Sequence, residues 1–430
     1  MITVEASGYI ADHWLVRRRL FLGNCVCWLA TIGIVQAWLA AILFAQGLTT
    51  GSDQWGNRIV VENKSTPYYL LHGSSLANLL AAGLIAASNS GYQSLDRLGR
   101  FAIWLLVLVS ILWTIIAYDW PELLSPTIFG ATGPFVWLSV IIVFAGMESR
   151  VWAWLDRLVD PLVIITAIMA IVSILHQEAD SPGAVLRINH YFSLLFWFGG
   201  WRCLARTSQK IVWILMDSAV LALLMILALW LMRRSWVINI SLLISIYLVT
   251  LGRRVGPSAK AAYCVAASSV GLILMLVGTM PSLQQAVAGL IARLDEDTRT
   301  GQYRIFFSQV KWEDLILGLG PKATYYYGPA SPQYQFFDNA YIWMAFIGGL
   351  PILVCYCLVV LWPGLAALFV TPSDKHTILA CGIMLAIWAL ILGGLGVFSC
   401  PCLSAYHYLI CLMAGLCWSS KGLDADDSGQ

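Results

Sequence analysis

Long runs of apolar residues recur along the whole chain and are separated by short polar connections. A helix of about 20 apolar residues crosses the hydrocarbon core of a bilayer, so each run predicts a membrane-spanning helix. The pattern predicts twelve spans, at residues 20–46, 68–88, 101–118, 126–146, 159–176, 189–205, 211–232, 235–252, 257–280, 340–369, 377–398 and 400–419. The runs are apolar throughout and do not alternate, which excludes a transmembrane β-barrel. We therefore expect an all-α, polytopic integral membrane protein.

One connection differs from the rest in length and polarity. Residues 281–339 form a single, mostly polar segment between the ninth and tenth predicted spans. Loops of this length inside a compact bundle are usually functional. The predicted organisation is nine helices in 1–280, a large loop in 281–339, three helices in 340–419 and a tail in 420–430.

Basic residues in the connections predict the orientation, since Lys and Arg collect on the cytoplasmic side. With the N-terminus in the cytoplasm, 15 of the 25 Lys and Arg residues fall on that side and 5 in the short outer loops. The remaining 5 lie in the long loop. This bias predicts that both termini are cytoplasmic and that the long loop is outside.

Composition narrows the class further. The chain has 430 residues, of which 60% are hydrophobic and 11% charged, and its mean hydropathy is +0.78. A water-soluble globular protein and a disordered chain are excluded, and the net charge of +2 gives no case for nucleic-acid binding. Arg17-Arg18-Arg19 precedes a run too long for a cleavable signal peptide, so the first helix is expected to remain as an anchor.

Few polar residues inside the runs predict chemistry there. Most of the 11 cysteines lie in apolar runs and are expected to be packing residues. Asp217 lies within reach of Lys210 or Arg206, which favours a local ion pair or a solvated helix end over a proton relay. His72 and His407 are expected to be packing residues. No histidine and carboxylate spacing fits a metal site, and the Walker A and dinucleotide-binding motifs are absent, so we expect no metal and no cofactor.

The outer-side arginines are more informative, because the topology signal disfavours them. Arg233 and Arg234 lie between the seventh and eighth predicted spans, and Arg187 precedes the sixth. An arginine at this depth is either a site for an anionic ligand or a snorkelling side chain at the lipid headgroups. Spacing alone leaves both interpretations open.

The long loop has an ordered composition. Residues 303–316 have helix-compatible apolar spacing, which predicts an amphipathic helix lying on the membrane or the bundle. Gly318-Leu319-Gly320-Pro321 predicts a turn, and Asp338 can N-cap the tenth span. Between them lie six aromatic residues, which are typical of a membrane interface or of a sugar-stacking wall; they are Tyr325, Tyr326, Tyr327, Tyr334, Phe336 and Phe337.

Taken together, these motifs resemble the O-antigen ligase and polymerase superfamily of bacterial envelope glycosyltransferases. That family shows an Arg followed by an aromatic, a G-x-G, a [His or Asp]-Asn-x-Tyr and a Gly-rich helix in one large periplasmic loop. The matching positions are Arg299 with Tyr303, Gly318 with Gly320, Asp338-Asn339-Ala340-Tyr341 and Gly348-Gly349. Met232-Arg233-Arg234-Ser235-Trp236 falls where the family has a Ser-Arg-Gly-x-Trp-like motif, although Met-Arg-Arg replaces Ser-Arg-Gly. The resemblance covers about residues 187–370.

Two further points qualify the resemblance. Ligases of this superfamily that act on lipid A-core usually carry a histidine where this chain has Asp338, and no histidine lies between His190 and His376. The resemblance therefore favours a Wzy-type polymerase of O-antigen or exopolysaccharide over a ligase. Arg304 competes with Arg299 for the family arginine.

The resemblance implies an undecaprenyl-diphosphate-linked glycan as donor and acceptor, in the bacterial inner membrane with the active site facing the periplasm. The expected catalytic residues are Asp338, Arg299 and Arg304. The expected diphosphate-binding residues are Arg233, Arg234 and Arg187, and the expected sugar-binding residues are Tyr325, Tyr334, Asn339 and Tyr341. Membrane lipids and a regulator of chain length are the other partners implied.

Two other classes of function stay open at this point. A lipid-linked oligosaccharide flippase or secondary transporter also has about twelve spans, although transporters usually show internal repeats and broken midplane helices. A non-catalytic assembly subunit of an envelope complex is the second alternative.

Overall fold

Helices make up most of the part of the chain that the structure describes. The computed structural model describes residues 3–52, 58–62, 65–119, 122, 135–176, 182–207, 210–231, 233–255, 271, 275, 279, 284, 288–289, 298–329, 332–335, 337–369, 376–395, 401 and 403–427. The α-helices of the first half are α1 (Thr3–Gln46), α2 (Thr66–Ala86), α3 (Tyr92–Ser94), α4 (Arg97–Ala117), α5 (Phe135–Leu138), α6 (Ile142–Gly146), α7 (Ser149–His176), α8 (Pro182–Leu194) and α9 (Gly200–Ala205). Those of the second half are α10 (Ile211–Trp230), α11 (Arg234–Val255), α12 (Thr298–Gln309), α13 (Trp312–Leu317), α14 (Ala340–Tyr356), α15 (Trp362–Ala367), α16 (His376–Leu390) and α17 (Ala405–Asp427).

Within the described residues, eight helical runs are long and apolar enough to cross a membrane. They cover Val16–Gln46, Thr66–Asn89, Arg97–Ala117, Ser149–Leu175, Ile211–Trp230, Arg234–Leu251, Ala340–Ala367 and His376–Gly394. Two shorter apolar helices, Val136–Gly146 and Ala405–Ser419, fall on the fourth and twelfth predicted spans. A multi-pass helical membrane protein is therefore confirmed, while the full number of twelve spans stays a prediction.

The remaining two predicted spans have different outcomes. The sixth corresponds to α8 and α9, which are joined by a π-helical turn over Leu195–Gly199. The ninth, at residues 257–280, lies outside the described residues except for single positions. The structure therefore does not test that span or the orientation of the termini.

A two-stranded hairpin between α1 and α2 departs from the expected pattern. Strand β1 (Leu48–Ser52) pairs antiparallel with β2 (Arg58–Glu62), with Thr50 opposite Val60. The strands are rich in β-branched residues, which favour a pleated conformation over a helix. The hairpin packs against α8.

Large aromatic rings fill the centre of the bundle. Trp197 packs edge-on against Trp388, with ring centroids 5.4 Å apart. Trp137 lies 5.9 Å from Trp343. His72 and His407 are buried and stack on tyrosine rings, as expected for packing histidines. The interior of the bundle is thus packed with aromatic side chains.

The two ends of the bundle carry different features. Successive helices joined by short connections run in opposite directions, so the hairpin, the start of α8, the end of α4, the start of α11 and the start of α14 share one end. We call this the loop end, because α12 and α13 also lie there. The opposite end holds the start of α7, the end of α9 and the start of α10. The motifs of the long loop therefore all belong to one end of the molecule.

Candidate functional site at the loop end

Helix α12 provides the framework of the described part of the long loop. One face of the helix is buried through Gln302, Phe306 and Val310, which follow a four-residue spacing. Gly301 and Arg304 are exposed on the other side. This agrees with the predicted amphipathic helix in this region, although the helix breaks at Val310 and resumes as α13.

The buried face of α12 packs into a cluster of aromatic rings. Phe306 lies 4.6 Å from Phe337, 5.1 Å from Tyr325 and 5.2 Å from Phe346, measured between ring centroids. Phe346 belongs to α14, so the cluster fixes α12 to the helix that follows the loop. The part of the loop that the structure describes from α12 onward is therefore packed against the bundle.

Tyr325 lies inside this cluster. It is 4% exposed, and its backbone exchanges two hydrogen bonds of 2.9 Å with Tyr334. Gln302 Nε2 donates to the Tyr325 hydroxyl at 3.0 Å. Burial raises the pKa of the Tyr325 hydroxyl well above its ordinary value. These contacts give Tyr325 a supporting position. Tyr334 is half-buried and stacks on Tyr327, with ring centroids 5.2 Å apart, and the sugar-binding role of both tyrosines stays a prediction.

Asp338 is exposed at the start of α14, and its neighbour caps the helix. Asn339 Oδ1 accepts hydrogen bonds from Tyr341 N at 3.0 Å and from Ile342 N at 3.3 Å. The prediction that Asp338 is the N-cap is wrong, because the chain enters the helix one residue later. The Asp338 backbone N donates to Gln302 Oε1 at 3.4 Å. Its carboxylate is thus not engaged as the cap of α14.

The other two residues of this motif hold α14 against α16. Asn339 Nδ2 donates to the Gly393 carbonyl at 3.4 Å, and the Tyr341 hydroxyl donates to the Ala389 carbonyl at 2.8 Å. Both side chains therefore have structural partners in addition to any role with a sugar. The motif combines one exposed carboxylate with two residues that fix the backbone beneath it.

The two glycine motifs of the sequence meet each other. Helix α14 is interrupted at Gly349, whose φ is 78°, and Pro351 follows inside the helix. Because Pro351 has no N–H, the carbonyl of Ile347 lacks its usual helical donor. Gly320 N donates to that carbonyl at 2.9 Å, and Leu319 N donates to the Phe346 carbonyl at 2.8 Å. The G-x-G turn thus completes the hydrogen bonding of the broken helix.

Glycine is required on both sides of this contact. Gly318 has φ 81°, and a Cβ added there would lie 2.7 Å from the Gly348 carbonyl carbon. A Cβ at Gly349 would lie 2.6 Å from the Leu317 carbonyl carbon. The left-handed backbone and the close approach both exclude larger residues.

The two candidate loop arginines occupy different faces of α12. Positions 299, 302, 303 and 306 follow the i, i+3, i+4, i+7 spacing of one helix face, which is the buried face. Position 299 is thus one turn before Gln302, the residue that contacts Asp338. Arg304 is exposed, on the same side as Gly301. Which of the two is the family arginine stays a prediction.

The membrane-boundary arginines begin α11. Arg233 and Arg234 are half-buried, and the Arg233 backbone N donates to the Ala228 carbonyl at 3.2 Å. Helix α11 contacts the Ile391–Leu395 segment, which also receives the hydrogen bond from Asn339 at Gly393. Helix α11 and Asn339 therefore share the Ile391–Leu395 segment as a neighbour.

Arg187 has a structural partner in the hairpin. Its Nη2 donates to the Leu48 carbonyl at 2.5 Å, and the side chain is half-buried. This hydrogen bond ties α8 to β1. The proposed diphosphate-binding role of Arg187 stays a prediction, and the geometry gives it a second function in holding the hairpin.

Two glutamines were missed by the sequence reasoning. Gln302 contacts both Tyr325 and Asp338, and Gln309 exchanges hydrogen bonds of 2.9 Å with the backbone N and O of Tyr326. Their spacing of seven residues on one helix was a usable signal, because it places both amides on the side that carries Phe306.

An ion pair that links two loops was also missed. Lys322 Nζ lies 2.6 Å from Glu122 Oε2, and 5.0 Å from the centre of the Tyr118 ring. The hydrogen bond from Lys322 lowers the pKa of the Glu122 carboxyl below its ordinary value. The pair joins the long loop to the chain that follows α4, and nothing in the sequence connects residues 200 positions apart.

A buried charge cluster lies at the opposite end. Arg206 pairs with Asp217, at 3.1 Å between Nε and Oδ1, which confirms the predicted ion pair of Asp217. Asp160 of α7 accepts from Arg206 Nη2 at 2.6 Å and from Arg202 Nε at 2.9 Å. Asp156 also pairs with Arg202. This cluster joins α7, α9 and α10 away from the loop end.

Metal ligands do not assemble in the part of the chain that the structure describes: no group of three or more His, Cys, Asp or Glu side chains could hold an ion there. No protein-family model matches the chain, and no curated protein or solved structure matches it significantly. Interpretation of the loop end therefore depends on its own geometry and on the motif resemblance.

Proposed function

We propose that this protein is a membrane glycosyltransferase that polymerises undecaprenyl-diphosphate-linked oligosaccharide repeat units. The proposed location is the periplasmic side of a bacterial inner membrane, and the product is an O-antigen or exopolysaccharide chain. The proposal follows the family resemblance of the long-loop motifs.

The observation that supports it is the arrangement around Asp338. An exposed carboxylate lies at the start of a membrane-spanning helix, and Gln302 of α12 contacts its backbone. The neighbouring Asn339 contacts the segment against which the Arg234 helix packs. A carboxylate and cationic residues at one membrane boundary fit a reaction between a sugar hydroxyl and a lipid diphosphate.

The proposed reaction needs one proton acceptor. The hydroxyl oxygen of the acceptor sugar forms a bond to the anomeric carbon of the donor, while the bond between that carbon and the diphosphate oxygen breaks. The hydroxyl proton moves to the Asp338 carboxylate, and undecaprenyl diphosphate leaves. A positioned carboxylate is a suitable general base for this step.

Guanidinium groups would stabilise the leaving diphosphate. Arginine stays charged in a site of low dielectric and binds phosphate oxygens through two parallel hydrogen bonds. In this proposal Arg233 and Arg234, at the start of a membrane-spanning helix, bind the diphosphate of the lipid donor. Arg299, which lies on α12 one turn before Gln302, assists them. In this proposal the diphosphate is the activated leaving group, so the protein supplies charge and position.

Reconstitution of the full chain with lipid-linked repeat units tests the function. A ladder of longer lipid-linked glycans is the expected result. Single transfer to a lipid A-core acceptor would indicate a ligase, and movement of the lipid-linked glycan across the bilayer without chain growth would indicate a flippase. No reaction and no movement would favour an assembly subunit.

Arginine variants test the diphosphate site in the same assay. Arg234→Ala is expected to abolish the ladder, and Arg234→Lys to restore it only in part, because an ammonium lacks the planar fork. Arg97→Ala is the control, because Arg97 is an exposed arginine at the start of α4, at the end of the bundle opposite the loop end. Full activity of Arg233→Ala, Arg234→Ala and their double variant would leave these residues as snorkelling side chains.

A further inference from the structure

The segment from Trp312 to Gly320 exposes large apolar side chains next to the membrane spans. Trp312 is 71% exposed and Leu317 is 77% exposed, and Ile316 and Leu319 are exposed as well. Only Leu315 of α13 is buried against the bundle. We call residues 312–320 the hook. A continuous apolar surface of this kind marks contact with a protein or a membrane.

The contact with α14 gives the depth of the hook. Leu319 N and Gly320 N bond to the carbonyls of Phe346 and Ile347. Phe346 is six residues after Ala340, where the span begins, and a helix rises 1.5 Å per residue, or about 9 Å over that distance. The tip of the hook therefore lies beside the second turn of a membrane-spanning helix, and not above it.

The contact with α4 gives the same depth independently. Gly320 packs on the Trp113 ring, where an added Cβ would lie 2.8 Å from Cζ3. Trp113 is four residues, or about one turn, before the end of that span at Ala117. Two residues later, Lys322 contacts Tyr118 and Glu122, which lie past the end of the span. The chain thus descends to the Trp113 level and rises again.

Polarity changes along the hook in the direction of this descent. Lys311 and Glu313 lie at the start of α13, whereas Ile316 and Leu317 lie at its end. A segment that enters a bilayer from the aqueous side has this order, with the charges at the headgroups and the apolar residues deeper. On α14, Leu350 and Val354 continue the exposed apolar surface.

We infer that the hook is a re-entrant element whose tip lies in the outer part of the bilayer and contacts phospholipid acyl chains. The helices that it contacts, α4 and α14, are membrane spans that also expose apolar side chains, among them Ile116 and Leu350. Backbone groups at this depth need internal partners, and the hydrogen bonds to Phe346 and Ile347 supply them. The inference does not depend on the proposed enzymatic function.

Photocrosslinking tests the contact. The full-length protein carries a photoreactive diazirine amino acid in place of Leu317, and is reconstituted in vesicles of phosphatidylethanolamine and phosphatidylglycerol with a small amount of polyprenyl phosphate. Gln333 is the matched control position, because it is exposed in the same loop after the chain has left the hook. Adducts are identified by mass spectrometry after digestion.

Phospholipid adducts on the acyl chains at position 317, with none above background at position 333, are the expected result. Adducts with polyprenyl phosphate alone would overturn the inference in favour of a specific lipid groove. Crosslinks to a second copy of the chain, or adducts with water alone, would overturn it as well. The variant Leu317→Ser is the folding control. Its full insertion into the membrane would show that the replaced side chain is not needed for folding.

Discussion

At the N-terminus of α14, two adjacent residues have different roles: Asn339 caps the helix, and Asp338 is exposed to solvent. The Asn339 side chain accepts hydrogen bonds from the backbone N–H groups of Tyr341 and Ile342, and the Asp338 side chain plays no part in this cap. Because the cap is the asparagine, replacing the aspartate does not remove a helix cap. The two residues can therefore be tested separately.

Asp338→Asn is expected to leave the fold intact and to remove the general base. Such groups contribute about 10²–10⁴-fold in rate, so polymer synthesis should fall by that order while donor binding persists. Asn339→Ala is the matched comparison, and loss of the cap should lower the free energy of unfolding by about 1 kcal/mol. Synthesis rates, donor binding and thermal unfolding are measured for both variants.

If the synthesis rate of Asp338→Asn stays within about threefold of the wild type, Asp338 is not the base. Such a change corresponds to a loss of less than ~0.7 kcal/mol in transition-state stabilisation. The search would then move to the acidic residues before α12, at positions 295–297. A large loss of stability in Asp338→Asn would instead indicate a structural role.

At the scale of elements, the long loop and the broken helix α14 depend on each other. Pro351 leaves the Ile347 carbonyl without its helical donor, and the turn at Gly318–Gly320 donates to that carbonyl and to the carbonyl of Phe346. The two glycine motifs are separate in sequence but form one contact. This contact positions α13 and, through the aromatic cluster, the loop segment before Asp338.

Gly349→Ala is expected to loosen the loop. A non-glycine residue at positive φ costs of order 1–3 kcal/mol, and the added Cβ would also press on the Leu317 backbone. Gly301→Ala is the matched control, since Gly301 is in α12 with open space around it, and alanine there should be neutral or stabilising by up to about 1 kcal/mol. Thermal unfolding and limited proteolysis of the loop are compared; equal behaviour of the two variants would contradict the interpretation.

The sequence predicted elements whose signal is local. Apolar runs of bilayer length indicated the spans, and the spacing of apolar residues indicated a helix in 303–316. Both patterns could be recognised because each involves residues that are close together in the sequence. The pairing of Gly320 with Ile347 and of Lys322 with Glu122 depends on tertiary packing, which periodicity does not encode. The hairpin was missed because its strands are short and lie between long apolar runs.

At the scale of the whole molecule, polar features are divided between the two ends of the bundle. The candidate site, the hairpin and the hook share the loop end, and the buried charge cluster lies at the other. The asymmetry of Lys and Arg residues predicts which end faces the cytoplasm. Asp217 and Arg206 belong to the end that carries more basic residues.

The predicted orientation is checked by labelling with a membrane-impermeant thiol reagent in intact spheroplasts. Gln333→Cys should be labelled and Lys210→Cys should be protected until the membrane is broken, because the two exposed positions lie at opposite ends. The unmodified chain, with its native cysteines, supplies the background. The reverse pattern would invert the topology and place Asp338 in the cytoplasm.

The buried charge cluster should contribute to the stability of the whole bundle, because it joins three helices. Asp160 accepts hydrogen bonds from both Arg202 and Arg206, and the Arg206 side chain is only 3% exposed. Asp160→Asn would leave these two guanidinium groups without a full negative charge to balance them. Removing one partner of a buried pair typically lowers the free energy of unfolding by about 3–5 kcal/mol, and we expect a loss of about that size. Asp156→Asn is the control, since its side chain is 55% exposed and an exposed pair contributes at most about 1 kcal/mol. Thermal unfolding in detergent micelles measures both losses, and an equal, small effect of the two substitutions would show that water screens the cluster.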